Sequence, residues 1–91
     1  MKTIEMFVFG RVQGVWFRES TRRKASECGV CGFVQNMPDG SVKIVAQHAN
    51  QEKIDLLLNW AKLGPEMAQV DRFTRREISS QVRYSKFDVK L

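Results

Sequence analysis

Between Lys2 and Phe9 apolar and polar positions alternate, with Ile4, Met6 and Val8 on one face and Glu5 and Phe7 on the other. A period of two predicts a half-buried strand. Gly10 to Val15 interrupts it with two glycines, and the period then changes. Phe17, Thr21, Ala25 and Cys28 follow at helical spacing on one face, so a helix is predicted from about Phe17 to Cys28. Arg22, Arg23 and Lys24 then turn mostly outward, and Gly29 supplies a stop. Segments 31–36 and 41–47 read as a hairpin joined by Met37-Pro38-Asp39-Gly40, a turn composition. Val42, Ile44 and Ala46 are expected to face the core, and Ser41, Lys43 and Gln47 are not. A second helix begins after Asn50, an N-cap residue type, with Glu52 suiting the positive end of the dipole. Ile54, Leu57, Leu58 and Ala61 form its buried stripe, Trp60 and Leu63 widen it, and Gly64-Pro65 ends it. Strands are predicted near 71–78 and 84–91, the latter with Phe87, Val89 and Leu91 on one face.

The resulting order, β-α-β-β-α-β-β, predicts an α+β protein. Its first six elements match the ferredoxin-like split βαβ pattern, an α/β sandwich with two helices on one face of an antiparallel sheet. No internal repeat, linker or low-complexity segment divides the chain, and 91 residues suffice for one domain with a modest core, so residues 1–91 are expected to form a single domain.

Composition narrows the setting. Hydrophobic residues are 43% and charged residues 27% of the chain, an ordinary soluble balance. No apolar run approaches the roughly 20 residues that cross a bilayer, and Met1-Lys2-Thr3-Ile4-Glu5 lacks the apolar middle of an export signal. A cytoplasmic location and no membrane association are expected. The net charge of +5 favours anionic partners: nucleic acid, an anionic surface or small phosphorylated substrates. Arg11, Arg18, Arg22, Arg23 and Lys24 cluster in one stretch offset only by Glu19, which reads equally as a solvated helix face. Cys28-Gly29-Val30-Cys31 has C-x-x-C spacing, but two thiols are half of a structural zinc set, and the pair sits where a helix ends instead of where one begins. Inert thiols are the simpler reading.

The segment with most chemical content is Gly10-Arg11-Val12-Gln13-Gly14-Val15-Trp16-Phe17-Arg18, between the first strand and the first helix. Loop amides at a helix N-terminus carry partial positive charge and bind anions. Glycine lets the backbone curl closely around a ligand. Arg18 falls in the first helical turn, where its fork can grip two phosphate oxygens. No Gly-Lys-Ser/Thr follows, so this is not a nucleotide-binding Walker loop. Taken alone, Asn36 before Met37-Pro38-Asp39-Gly40 reads more naturally as a turn former. His48, the sole histidine, makes neither a triad nor a metal site, and Trp60 reads as core packing.

Gly10-Arg11-Val12-Gln13-Gly14-Val15-x-Phe17-Arg18 resembles the first signature of the acylphosphatase family, and Gly32-Phe33-Val34-Gln35-Asn36 with Gly40-x-Val42 resembles the second. Trp60, Gly64-Pro65, Ala68, Val70 and Phe87-Asp88-Val89 are similar to the family's second half, so the resemblance spans nearly the whole chain. It implies a single acylphosphatase-like domain over 1–91 and hydrolysis of the carboxyl–phosphate bond of acyl phosphates, yielding a carboxylate and inorganic phosphate. By resemblance, Arg18 binds the phosphoryl group together with the loop amides of Gln13, Gly14, Val15, Trp16 and Phe17, and Asn36 positions the attacking water. No cluster of His, Cys, Asp and Glu has ligand spacing, so no metal is expected; a small-molecule acyl phosphate substrate, no cofactor, no nucleic acid and a monomer are expected with it. Two positions depart from the family pattern: His48 stands where the second signature usually ends in glycine, and Met37 where some members carry a hydroxyl.

Other functions fit parts of the pattern. The fold order, a pI near 9.6 and Phe7, Phe9 and Phe33 on strands suit an RNA-binding domain, although Cys31-Gly32-Phe33-Val34 matches the RNA-recognition signature poorly. A metal chaperone of similar topology needs paired cysteines in the first loop, which has none. A binding module with the cradle but without turnover stays open.

Overall fold

The computed structural model describes residues 1–91. Its elements are β1 (Lys2–Arg11), α1 (Phe17–Cys28), β2 (Cys31–Asn36), β3 (Val42–His48), α2 (Gln51–Ala61), β4 (Gln69–Ile78) and β5 (Phe87–Lys90). The sheet order is β4-β1-β3-β2-β5. β1 and β2 each run antiparallel to β3 between them, which is the split βαβ arrangement of the ferredoxin-like fold. The outermost pair departs from the antiparallel expectation: β5 runs parallel to β2, with Gly32 opposite Phe87 and Val34 opposite Val89, so the sheet is mixed.

Strand alternation decides what is buried. Ile4, Met6 and Val8 from β1, Val34 from β2, and Val42, Ile44 and Ala46 from β3 point to the helices and form the core with Phe17, Ala25, Ile54, Leu57, Leu58 and Ala61. α1 ends as its sequence predicts: Gly29 adopts φ 72° and Val30 N–H returns to the Ala25 carbonyl at 2.9 Å. α2 is capped by Asn50, whose Oδ1 accepts from Glu52 N–H at 2.9 Å. Trp60 packs against the core and tilts onto Phe17 with ring centroids 5.9 Å apart.

Several expected positions differ. Gln47 does face away from the helices, but the 79–86 connection covers it: its carboxamide donates to Thr3 Oγ1 and the Val82 carbonyl and accepts from Tyr84 N–H, which leaves Gln47 buried. That use of Tyr84 also delays the last strand from 84 to Phe87. Ser41 is buried because it closes the turn, its N–H and hydroxyl both meeting Asp39 Oδ1. Leu63 lies beyond the end of α2 and is 78% exposed, so it does not widen the stripe. Of the last strand's apolar residues only Phe87 is buried, and Val89 and Leu91 are exposed. β4 begins at Gln69 instead of 71.

On the outer sheet face each aromatic residue already carries a cation. Arg72 Cζ lies 3.7 Å from the Phe9 ring centroid and Lys90 Nζ 3.8 Å from that of Phe33. Phe33 is buried, with Tyr84 tilted against it.

Candidate functional site

Because β3 opposes both of its neighbours, β1 and β2 run in one direction, and β5 runs with β2. The carboxyl ends of all three therefore lie at one edge of the sheet. β1 ends there in the 12–16 loop, β2 in Asn36 and β5 in Lys90. Ligand crevices commonly form outside such strand ends.

Three buried side chains pin the loop to the core: Val12, Val15 at 4% exposure and Phe17 at 2%. Between them the chain curls outward through Gly14 at φ 73° and Trp16 at φ 64°. Left-handed residues interspersed in a loop turn successive N–H groups toward one side, as in anion-binding nests. Trp16 is the N-cap of α1, its carbonyl accepting Ser20 N–H at 3.0 Å, so this curl leads directly into the positive end of a 12-residue helix.

A cavity of about 410 Å³ opens at this edge, lined by Gly14, Trp16, Phe17, Arg18 and Asn36 together with Val12, Glu19 and Val89. Five of the residues named from sequence are thus brought together. Gln13 and Val15 are not on the wall by their side chains. Val15 is buried, and the Gln13 carboxamide reaches the hairpin, donating at 2.9 Å to the carbonyl oxygens of both Met37 and Ser41.

Arg18 has no carboxylate partner. Its Nη1 donates to the Lys90 carbonyl at 3.0 Å, leaving the rest of the guanidinium fork available to an anion. Its neighbour Glu19 is occupied elsewhere: Arg22 grips both carboxylate oxygens at 2.7 and 2.8 Å, and Arg23 adds a contact at 3.2 Å. The Arg22 hydrogen bonds, reinforced by Arg23 against some desolvation, lower the Glu19 carboxyl from 4.5 to about 2. The cavity wall thus holds one free cation and one neutralised carboxylate.

Asn36 closes the site from β2, and its Oδ1 is buried without a hydrogen-bond partner. A buried acceptor of this kind destabilises the fold unless a donor reaches it.

Val89, Glu19 and the Lys90 carbonyl were not identified from sequence. Glu19 had a local signal, adjacency to Arg18 in the first turn of α1. Val89 and Lys90 had none, because their place depends on β5 adding beside β2. His48 lies off the cavity, its Nδ1 accepting Asn50 N–H at 2.8 Å. Cys28 and Cys31 are free thiols and also lie off it. No three His, Cys, Asp or Glu side chains gather as a candidate metal site.

Residues 4–89 match the family model for acylphosphatase. The chain is 45% identical to an acylphosphatase of Methylococcus capsulatus over 98% of its own length and 96% of the relative's. It is 49% identical to an acylphosphatase of Thiobacillus denitrificans, covering 97% of this chain and 96% of the other. A solved structure of an acylphosphatase from Coxiella burnetii superposes with a TM-score of 0.91 at 39% identity, covering 98% of this chain and 92% of that one.

Proposed function

The chain belongs to the acylphosphatase family and is a hydrolase of acyl phosphates, and on that premise we propose that Arg18 and the 13–17 loop amides hold the phosphoryl group while Asn36 places the attacking water. The observation that carries this reading is the meeting, in one cavity, of a guanidinium from α1 that has no carboxylate partner and the Asn36 side chain from the end of β2.

The reaction suits so small a set of groups. The leaving group is a carboxylate whose acid has a pKa of about 4, so it departs without a general acid. Phosphoryl transfer needs positioning and charge stabilisation more than covalent help. The Arg18 fork and the loop amides stabilise charge on the equatorial oxygens. The Asn36 carboxamide, on the cavity wall, hydrogen-bonds the water and holds it in line. The water oxygen bonds to phosphorus as the bond from phosphorus to the acyl oxygen breaks. The carboxylate leaves with that bond's electron pair, and the water proton passes to a phosphoryl oxygen, giving inorganic phosphate. Asn36 takes no proton, since a carboxamide is not a base at neutral pH. The Lys90 carbonyl fixes one arm of Arg18 so that the fork faces the cavity.

The mechanism as drawn uses no metal and no cofactor, and one copy of residues 1–91 supplies every group in it. A cytoplasmic, single-domain monomer is part of the same proposal, and the two free thiols suit a reducing compartment. The test is steady-state hydrolysis of acetyl phosphate by pure protein, with and without excess EDTA. Turnover that survives chelation and is competitively inhibited by inorganic phosphate is expected. Activity lost to EDTA and restored by a divalent ion would overturn the metal-free mechanism.

A further inference from the structure

The mechanism employs the backbone of Trp16 and leaves its side chain unused. That side chain is the largest in the loop, yet it is 78% exposed. Trp16 makes no side-chain cap for α1, and it is the one non-glycine residue with positive φ. Glycine would occupy this conformation without strain, whereas bulky residues rarely do. Strain of this kind persists where a side chain contributes something other than folding. The indole lines the same cavity as Arg18 and Asn36, and so does Val89, itself 39% exposed on β5. The cavity, about 410 Å³, falls in the small-molecule range and exceeds the needs of a phosphoryl group held by one guanidinium and a loop.

We propose that Trp16, with Val89, is the platform for the substrate's acyl group, and that the chain selects acyl phosphates with an apolar, preferably aromatic, acyl part. This rests on the acyl-phosphate reading above. An aromatic ring offset-stacks on the indole, and an aliphatic chain covers Val89 and the indole face. Charge on the wall argues the same way. Arg18 is the single cation lining the cavity and is committed to the phosphoryl group, and Arg22 and Arg23 are engaged by the Glu19 carboxylate. A second anionic group on the acyl part therefore meets no unpaired cation. The platform lies away from the bonds that change, so it holds ground state and transition state alike and acts mainly through KM.

The experiment compares benzoyl, acetyl and succinyl phosphate with wild type, Trp16→Gly and Trp16→Phe, with inhibition by phenylphosphonate and methylphosphonate measured alongside. Wild type is expected to favour benzoyl over acetyl phosphate by about tenfold in kcat/KM, mostly through KM, with succinyl phosphate the poorest. Phenylphosphonate should inhibit more strongly than methylphosphonate by a similar factor. In Trp16→Gly both ratios should collapse toward one while Tm holds or rises, because glycine suits φ 64°. Trp16→Phe should retain most of both preferences. Unchanged ratios in Trp16→Gly, in turnover or in phosphonate inhibition, would overturn the platform. A wild type that hydrolyses all three acyl phosphates equally well would overturn it as well and leave the acyl-phosphate reading intact. A wild type that hydrolyses none of them would overturn that reading itself.

Discussion

Gln13 holds Met37: its Nε2 lies 2.9 Å from the Met37 carbonyl oxygen across 24 residues of sequence, and the second hydrogen of the same amide reaches the Ser41 carbonyl at the same distance. One carboxamide thus ties the loop before α1 to the turn after Asn36. Gln13→Met keeps the length of the side chain and removes both donors. It should destabilise the fold by about 1–3 kcal/mol, since two carbonyls lose a partner. It should also lower kcat more than it weakens phosphate inhibition, because the turn positions Asn36 while the cradle belongs to the loop. Denaturant unfolding and inhibition kinetics on the same variant check both effects.

Arg18 is the unpaired cation of the cavity, and its removal should be felt in turnover before stability. Arg18→Gln is expected to lose at least about 100- to 1000-fold in kcat/KM, the usual effect of deleting a transition-state donor. Arg18→Lys should recover only part of it, because an ammonium cannot present the fork. Removing Lys90 and Leu91 should weaken inhibition by phosphate as well, since the Lys90 carbonyl anchors the guanidinium. Near-normal kinetics in Arg18→Gln would remove Arg18 from the mechanism.

For Asn36 the contrasting role is that of a turn former. Asn36→Ala should fold, still bind phosphate and lose most of kcat with little change in KM. It should not lose stability heavily, because Oδ1 has no partner to forfeit. Asn36→Asp keeps the shape but sets a negative charge beside the phosphoryl group and should bind phosphate poorly. An Asn36→Ala enzyme within a few-fold of wild-type kcat would return the residue to the turn, and an active Asn36→Asp would indicate that proton abstraction matters after all.

Acid stability should depend on Glu19. Its carboxyl is lowered by Arg22 hydrogen bonds from 4.5 to about 2, so the folded state holds its proton less tightly than the unfolded chain does. The stabilisation is then fully present above pH 4.5 and is lost as the pH falls toward 2. Asp39 and Asp55 are shifted in the same direction, by hydrogen bonds from Ser41 and Arg75 respectively. Glu19→Gln should flatten the dependence of Tm on pH within that window. The change should be small, because exposed ion pairs are screened by water.

Gly32 is expected to tolerate no side chain. It sits on β2 at φ 139°, and a methyl group there would fall on the Val45 carbonyl oxygen of the neighbouring strand. Gly32→Ala should cost more than about 3 kcal/mol, through backbone strain and overpacking together, and is expected to yield little soluble protein. Gly40→Ala meets no neighbouring atom and serves as the control, limited to the strain of φ 92°. Urea unfolding of the two variants separates collision from conformational strain.

Local pattern carried much of this protein. Alternation from Lys2 to Phe9, the helical spacing of Phe17, Thr21, Ala25 and Cys28, and the Asn50 cap each depend on near neighbours, and each has its expected place in the fold. The two signatures likewise sufficed to place Arg18 at the start of α1 and Asn36 at the end of β2, because both positions follow from where an element begins or ends. Tertiary structure decided the rest. Alternation places Gln47 on the face away from the helices, where it lies, but is silent on what covers that face; the 79–86 connection buries it. Val89 and the Lys90 carbonyl reached the cavity because β5 paired parallel to β2, a choice made by long-range hydrogen bonds between strands more than fifty positions apart (Gly32 with Phe87). The Trp16 side chain had no periodicity to mark it, since loops have none; its left-handed backbone and exposure emerged once buried Val15 and Phe17 on either side had pinned the chain. Sequence determined which residues can build each element, and packing of the assembled sheet decided which of them face one another.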